Sequence, residues 1–158
     1  MLLGAGISIV LLLQQAARPR VVELARLPGT THFGDRVRHP ENQAVPGALV
    51  VRCESALLYF NAEFVRERLL ELLSARPDAV RLIVFYLGAV PKIDLAGAEL
   101  LAGLHKTFQA RAIEFRLADA RGEVRDALRR IDFEREHGGL ESGQTVDGII
   151  SKWQENKS

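Results

Sequence analysis

The sequence predicts an α/β domain, and three observations lead there. The run from Val80 to Leu87 is nearly continuous in apolar residues after Arg81, as a central strand covered on both faces requires. Beyond Asn61, segments with apolar residues at helical spacing alternate with short segments rich in β-formers. Two strand-like segments precede the first of those helices, so the sheet is expected to be mixed or mainly parallel, with helices packed against it.

Met1 to Leu13 carries no charge and is followed by the basic pair Arg18 and Arg20. A bilayer-spanning helix needs about 20 apolar residues, so this run is too short to cross alone and is expected to be the end of a membrane helix or a membrane-proximal segment covering residues 1–17. Arginines just past the apolar run suit a helix emerging into the cytoplasm. A secretory signal would need a basic stretch before the run, and none stands there. The other readings of the run are a buried helix or strand of the domain itself. Gly4 and Gly6 open like a dinucleotide fingerprint, but no strand precedes them and no third glycine follows, so small residues on a membrane helix face explain them better.

The remaining elements follow in order. Val21 to Leu27 reads as a strand ending at the turn Pro28-Gly29. Thr30 to Gly47 is polar and broken by Pro40 and Pro46, which predicts a loop long enough to need a reason. Ala48 to Cys53 reads as a second strand, and Cys53, the single cysteine, is expected to be a small buried residue of a reducing compartment. Asn61 is expected to cap a helix through its side-chain oxygen, with Phe60 and Val65 placed for a hydrophobic staple. Phe64, Val65, Leu69, Leu72 and Leu73 share one face of that helix, which ends near Arg76-Pro77. Its charges, Glu63, Arg66, Glu67, Arg68 and Glu71, are of mixed sign and read as a solvated face.

After the central strand, Leu100, Leu101, Leu104 and Phe108 predict a helix from Leu95 to about Ala110, and Ile113 to Ala118 a further strand. Gly122 to Ile131 is a short helix with Val124, Ala127, Leu128 and Ile131 on one face, an acid in its first turn and Arg129-Arg130 in its last. Three glycines between His137 and Gly143 mark a loop. Val146, Ile149, Ile150 and Trp153 then outline a last helix capped by Thr145.

The chain has 158 residues, enough for one domain with a single core. Hydrophobic residues at 47% and charged residues at 26% are the balance of a globular protein. With 21 basic against 20 acidic residues, the net charge of +1 supplies no field that argues for nucleic acid as a partner. His32, His39, His105 and His137 lack metal-ligand spacing and read as solvated positions. Neither a metal, a cofactor nor a catalytic residue is expected. Asp94 has no second carboxylate, histidine or phosphate loop near it in sequence, and helix capping accounts for it.

The segment VRLIVFYLGAVPKIDLAGAELLAGL, residues 80–104, runs strand, turn, apolar residue, aspartate and a helix opening with small residues. This layout resembles the STAS domain. In that family the aspartate ends the turn and caps the helix, and a glycine soon after it lets the helix approach the sheet; Asp94 and Gly97 match those positions. LLLQQAARPRVVELARLPGT and, after a polar loop, VPGALVVRCESALLYFNAEFVRERL are similar to the stretch that follows the last membrane helix of sulfate-permease-type (SulP) anion transporters.

The resemblance covers nearly the whole chain and is weakest after Ile131. It implies a STAS-like mixed sheet flanked by about four amphipathic helices over residues 18–155, behind a short apolar N-terminal helix. It also implies a non-enzymatic regulatory and interaction domain of a sulfate or related anion transporter, on the cytoplasmic face of the inner or plasma membrane. The implied partners are a transmembrane transport domain, upstream or in a partner chain, a second copy assembled through the transporter, and a cytoplasmic regulatory protein.

The alternative is a free-standing STAS-type regulator. Related anti-sigma-factor antagonists carry a serine or threonine immediately after the aspartate as a phosphorylation switch, whereas here Leu95 and then Ala96 stand there, and neither has a hydroxyl. A nucleotide phosphate at this helix end would have to compete with the Asp94 carboxylate for the same amides.

Overall fold

In the computed structural model, which describes residues 2–138, 140 and 143–156, the helix α1 (Leu2–Ala17) leads into a mixed five-stranded sheet. Its strands are β1 (Val21–Arg26), β2 (Phe33–Asp35), β3 (Ala48–Cys53), β4 (Leu82–Tyr86) and β5 (Glu114–Ala118), in the order β2-β1-β3-β4-β5. Strands β3, β4 and β5 are parallel; β1 runs antiparallel to both β3 and β2. The helices α2 (Ala62–Ser74) and α3 (Leu95–Gln109) make the crossovers between the parallel strands, as parallel pairing demands. They are followed by α4 (Gly122–Arg129), α5 (Phe133–His137) and α6 (Val146–Glu155).

Alternation along the strands divides the core in two. Leu49, Val51, Ile83 and Phe85 face the layer built from α2, α3, α4 and α5, where Val65, Leu69, Leu101, Leu104, Phe108, Leu128 and Phe133 are buried. Ala48, Val50, Leu82 and Val84 face the opposite way, against Val146, Ile150 and Trp153 of α6. The central strand is therefore apolar on both faces because both are covered. Each of these larger side chains contributes about 1.5–3 kcal/mol through burial.

Two elements lie where no element is expected from the pattern. Strand β2 sits inside the Thr30–Gly47 stretch, and at three residues it is too short to show a period. It exists through tertiary contacts: it pairs with β1 at the sheet edge, and its Phe33 ring lies under the Arg26 guanidinium at 5.2 Å. The buried Asp35 side chain accepts the Val37 amide and pairs with Arg20. The stretch also returns to β1 by the Arg26–Gln43 bridge. Helix α5 adds one flanking helix to the four expected, entered through Asp132 in the left-handed region at φ 54°. Of the three glycines expected in the following loop, Gly138 and Gly143 have positive φ, and Gly139 lies outside the described residues. Cys53 is fully buried, and burial pushes its thiol up to about 11.

A buried cation ties β1 to the crossover between β3 and β4. The Arg76 guanidinium bonds Glu23 of β1 at 2.6 Å, both oxygens of Asp78 at 2.7 and 2.8 Å, and the Val45 carbonyl at 3.2 Å. Asp78 also accepts the Gly47 amide at 2.7 Å. The Arg76 bonds, helped by that amide, hold the Asp78 carboxyl well below the usual carboxylate range. Removing one partner of a buried pair typically costs about 3–5 kcal/mol, because the other charge stays buried. Since Asp78 is 34% exposed, Arg76→Met is expected to cost about 3 kcal/mol, the low end, read as a lowered denaturant midpoint at unchanged slope.

Candidate functional site

The loops leaving β3 and β4 meet at one end of the sheet. Leu57 and Ile93 form a parallel bridge; the Leu57 amide donates to the Lys92 carbonyl at 3.0 Å and the Asp94 amide to the Leu57 carbonyl at 3.1 Å. Asp94 then uses both carboxylate oxygens. Oδ1 accepts the Gly97 amide at 2.8 Å, capping α3, and Oδ2 accepts the Tyr59 amide at 2.9 Å from the neighbouring loop. The cap thus also stitches two crossovers together.

Gly97 lies where α3 presses against that loop. A Cβ there would stand 2.3 Å from the Leu57 carbonyl oxygen, a backbone atom that cannot swing aside. Leu95 is 63% exposed and Ala96 half-buried at the start of α3. Tyr59, 77% exposed, and Phe60, 43% exposed, meet edge to face at 5.4 Å. This end of the sheet therefore presents exposed apolar side chains around the Asp94 turn, where a solvated loop would carry polar ones.

Asn61 differs from its expected role. Its side chain makes no cap bond to the first turn of α2. Instead it is buried: Oδ1 accepts the Leu58 amide at 2.9 Å, and Nδ2 donates to the Ala56 carbonyl at 2.9 Å and to the Ala16 carbonyl of α1 at 3.1 Å. Its backbone lies at φ −122°, ψ −5°, outside the extended region typical of a cap residue. With Phe60 exposed, only Val65 of the expected staple pair is buried. No sequence pattern points to the Asn61–Ala16 bond, which spans 45 positions.

The histidines also need correcting. His32 and His39 are exposed, His39 against Glu41, but His105 of α3 and His137 of α5 bring their rings to 4.2 Å, among Phe115 and Phe133. His105 Nδ1 and His137 Nε2 are buried without a hydrogen-bond partner among the described residues, with the Glu136 carboxylate 3.8 Å from the latter. Burial lowers both pKa values; for His105 the neighbouring His137 and Arg116 lower it further, and for His137 Glu136 opposes while Lys106 adds. Among the described residues no group of three or more His, Cys, Asp or Glu side chains could hold a metal ion. The mixed-sign face of α2 carries the pairs Arg68–Glu71 at 2.6 Å and Arg66–Glu63 at 3.9 Å.

Helix α1 closes at Ala17 and exposes Ile7, Ile9, Val10, Leu11, Leu12 and Leu13. An added Cβ at Gly4 or Gly6 would meet nothing within 4 Å. Its 16 residues span about 24 Å, short of the roughly 30 Å of a bilayer core, and among the described residues no helix is long and apolar enough to cross a membrane.

The family model described as the STAS domain matches residues 39–147, more than half of the chain. The chain belongs to the STAS domain family. Among curated relatives, this STAS domain is 32% identical over 127 residues to sulfate transporter 1.3 of Arabidopsis thaliana, a match that takes in 75% of this chain and 19% of that protein. The chain thus spans about a fifth of the length of that relative. Among solved structures, the murine Solute Carrier 26 family member A9 anion transporter in its inward-facing state superposes with a TM-score of 0.82 at 17% identity, over 96% of this chain and 25% of that one. The anti-sigma factor antagonist SpoIIAA in its unphosphorylated form superposes with a TM-score of 0.57 at 18% identity, over 72% of this chain and 94% of that one. The fold is common to both; the residues around Asp94 and the helix ahead of β1 have to carry any distinction in function.

Asp94→Asn keeps the oxygen that accepts Gly97 but loses the carboxylate oxygen that accepts Tyr59, and Asp94→Ala loses both. Stability should therefore fall from wild type to Asp94→Asn to Asp94→Ala, the last costing about 1–2 kcal/mol. Gly97→Ala should cost more, about 3 kcal/mol, because backbone must move. Denaturant midpoints rank all three; an Asp94→Ala variant as stable as wild type would overturn the stitch. The histidine pair sets a second expectation. Its folded pKa values are depressed from the ordinary 6.5, so the stability it carries is complete above that value and lost as pH falls and the unfolded chain takes up protons first. Urea midpoints should decline below about pH 6.5 and His105→Phe should flatten the decline.

Proposed function

We propose that this STAS domain is the cytoplasmic regulatory and interaction module of a sulfate or related anion transporter, that it performs no catalysis itself, and that residues 1–17 form the end of a membrane helix. The observation that carries the reading is the row of exposed aliphatic side chains on α1, from Ile7 to Leu13, joined to β1 by three residues and held to the domain by the Asn61–Ala16 bond. Such a surface is unfavourable in water and suits lipid or a neighbouring membrane helix. Arg18 and Arg20 follow it directly, which supports a cytoplasmic exit.

In this reading the transport domain lies upstream or in a partner chain, and assembly of the transporter brings two STAS domains together. The apolar rim of Tyr59, Phe60 and Leu95 is offered to a regulatory protein or to the transport domain. Leu95 and Ala96 support this module over a free antagonist switched by phosphorylation, since neither can accept a phosphate.

Flotation with phosphatidylcholine vesicles tests the membrane part. The whole chain is expected to float with the lipid, and a chain starting at Arg18, checked for folding by circular dichroism, to stay below. Equal behaviour of the two refutes the role assigned to α1.

A further inference from the structure

Where α1 joins the domain, a cleft of about 640 Å³ opens between the last turns of the helix and the sheet edge. Leu12, Gln15 and Ala16 of α1 line it together with Arg18, Pro19, Arg20, Arg38, Glu54 and Ser55. The carboxylates around it are already taken. Asp35 is buried against Arg20, and Glu54 pairs with Arg52 and, at 3.6 Å, with Arg20. Among the described residues no carboxylate pairs with Arg18, and Arg38 reaches Asp35 only at 3.9 Å while remaining 68% exposed. Two guanidinium groups with uncommitted donors thus line a cleft to which α1 contributes the aliphatic Leu12 and Ala16 beside Gln15.

We infer that this cleft binds the phosphate group of an anionic glycerophospholipid, with Arg18 and Arg38 as its ligands and Leu12 and Ala16 of α1 receiving the start of an acyl chain. The inference rests on the reading of α1 as a membrane segment. Guanidinium groups suit the ligand because their planar donors match phosphate oxygens in pairs. The vertical spacing fits as well: six residues from Leu12 to Arg18 rise about 9 Å, close to the roughly 5–8 Å depth of a headgroup layer. A soluble anion would use the arginines but have no use for the aliphatic Leu12 and Ala16. A lipid uses both, and its binding would fix the angle at which the STAS domain leaves the bilayer.

The test is flotation of the whole chain with vesicles of phosphatidylcholine alone and with vesicles containing about a third phosphatidylglycerol. Juxtamembrane arginines each strengthen binding to an anionic surface about fivefold, so R18Q/R38Q should lower the partition coefficient about 25-fold on the anionic vesicles and leave it unchanged on the neutral ones. R111Q, which removes an exposed charge outside the cleft, should leave the partition coefficient on the anionic vesicles unchanged, and inorganic phosphate or sulfate at ordinary ionic strength should not displace the lipid. If the chain floats equally well with both vesicle types, or if R111Q matches one cleft substitution, the lipid site is wrong while the membrane role of α1 stands. Displacement by millimolar phosphate or sulfate would reassign the cleft to a soluble anion and overturn the lipid. Failure to float with any vesicle removes the membrane reading and the lipid site together.

Discussion

The close approach of Gly97 to the Leu57 carbonyl is the constraint around which one end of this molecule is arranged. With no Cβ in the way, α3 starts against the loop that follows β3, and the Leu57–Ile93 bridge can form beyond the last residues of the parallel strands. The Asp94 carboxylate then faces amides from two directions, its own helix and the Tyr59 loop, and satisfies both. Unpaired amides at a helix start are costly when water is excluded, so packing and hydrogen bonding reinforce each other here. The same loop presents Asn61 to the Ala16 carbonyl, which passes the rigidity on to α1.

That chain of contacts matters for function because it links three surfaces. The apolar rim around Leu95, Tyr59 and Phe60, the foot of α1, and the basic cleft beside it all rest on loops at the same end of the sheet. Asn61 bonds the Ala16 carbonyl from the same loop whose Tyr59 amide reaches Asp94, so the foot of α1 and the Asp94 turn share one loop. The opposite layer, where α6 packs on Val50, Leu82 and Val84, shares no core residue with the layer that carries α2 and α3. Its role is to cover the second face of the parallel strands, without which they would be exposed to water.

Electrostatics divides similarly into buried and exposed duties. Arg76 is enclosed by Glu23 and Asp78 and the Val45 carbonyl, and acts as a fastener between β1 and the α2–β4 connection. Most helix-surface pairs, such as Arg68–Glu71, lie in water, where such contacts contribute little. The histidine pair is intermediate: aromatic neighbours and a like-charge partner keep it neutral, so α5 is held to α3 by ring contacts that favour the neutral state.

The sequence by itself determined the fold class, the four longer strands, the four longer helices of the domain, and the places of Asp94 and Gly97, because these depend on local periodicity, turn residues and a short motif. It also carried the apolar helix and the arginines beyond it, since both are properties of a contiguous segment. Tertiary structure alone decided the rest. Strand β2 is three residues held by its neighbours, α5 is one turn resting on α3, and the histidines meet across 32 positions of chain. Asn61 was legible as a residue at a helix start, but its partner there is the α1 carbonyl, and only the folded chain brings that carbonyl within reach. The arginine cleft is split among α1's end, the β2 loop and the turn after β3, so charges that cancel in the composition leave an uncompensated pair in space. Local order is written in neighbouring residues; a site assembled from distant ones exists only after burial has brought its parts together.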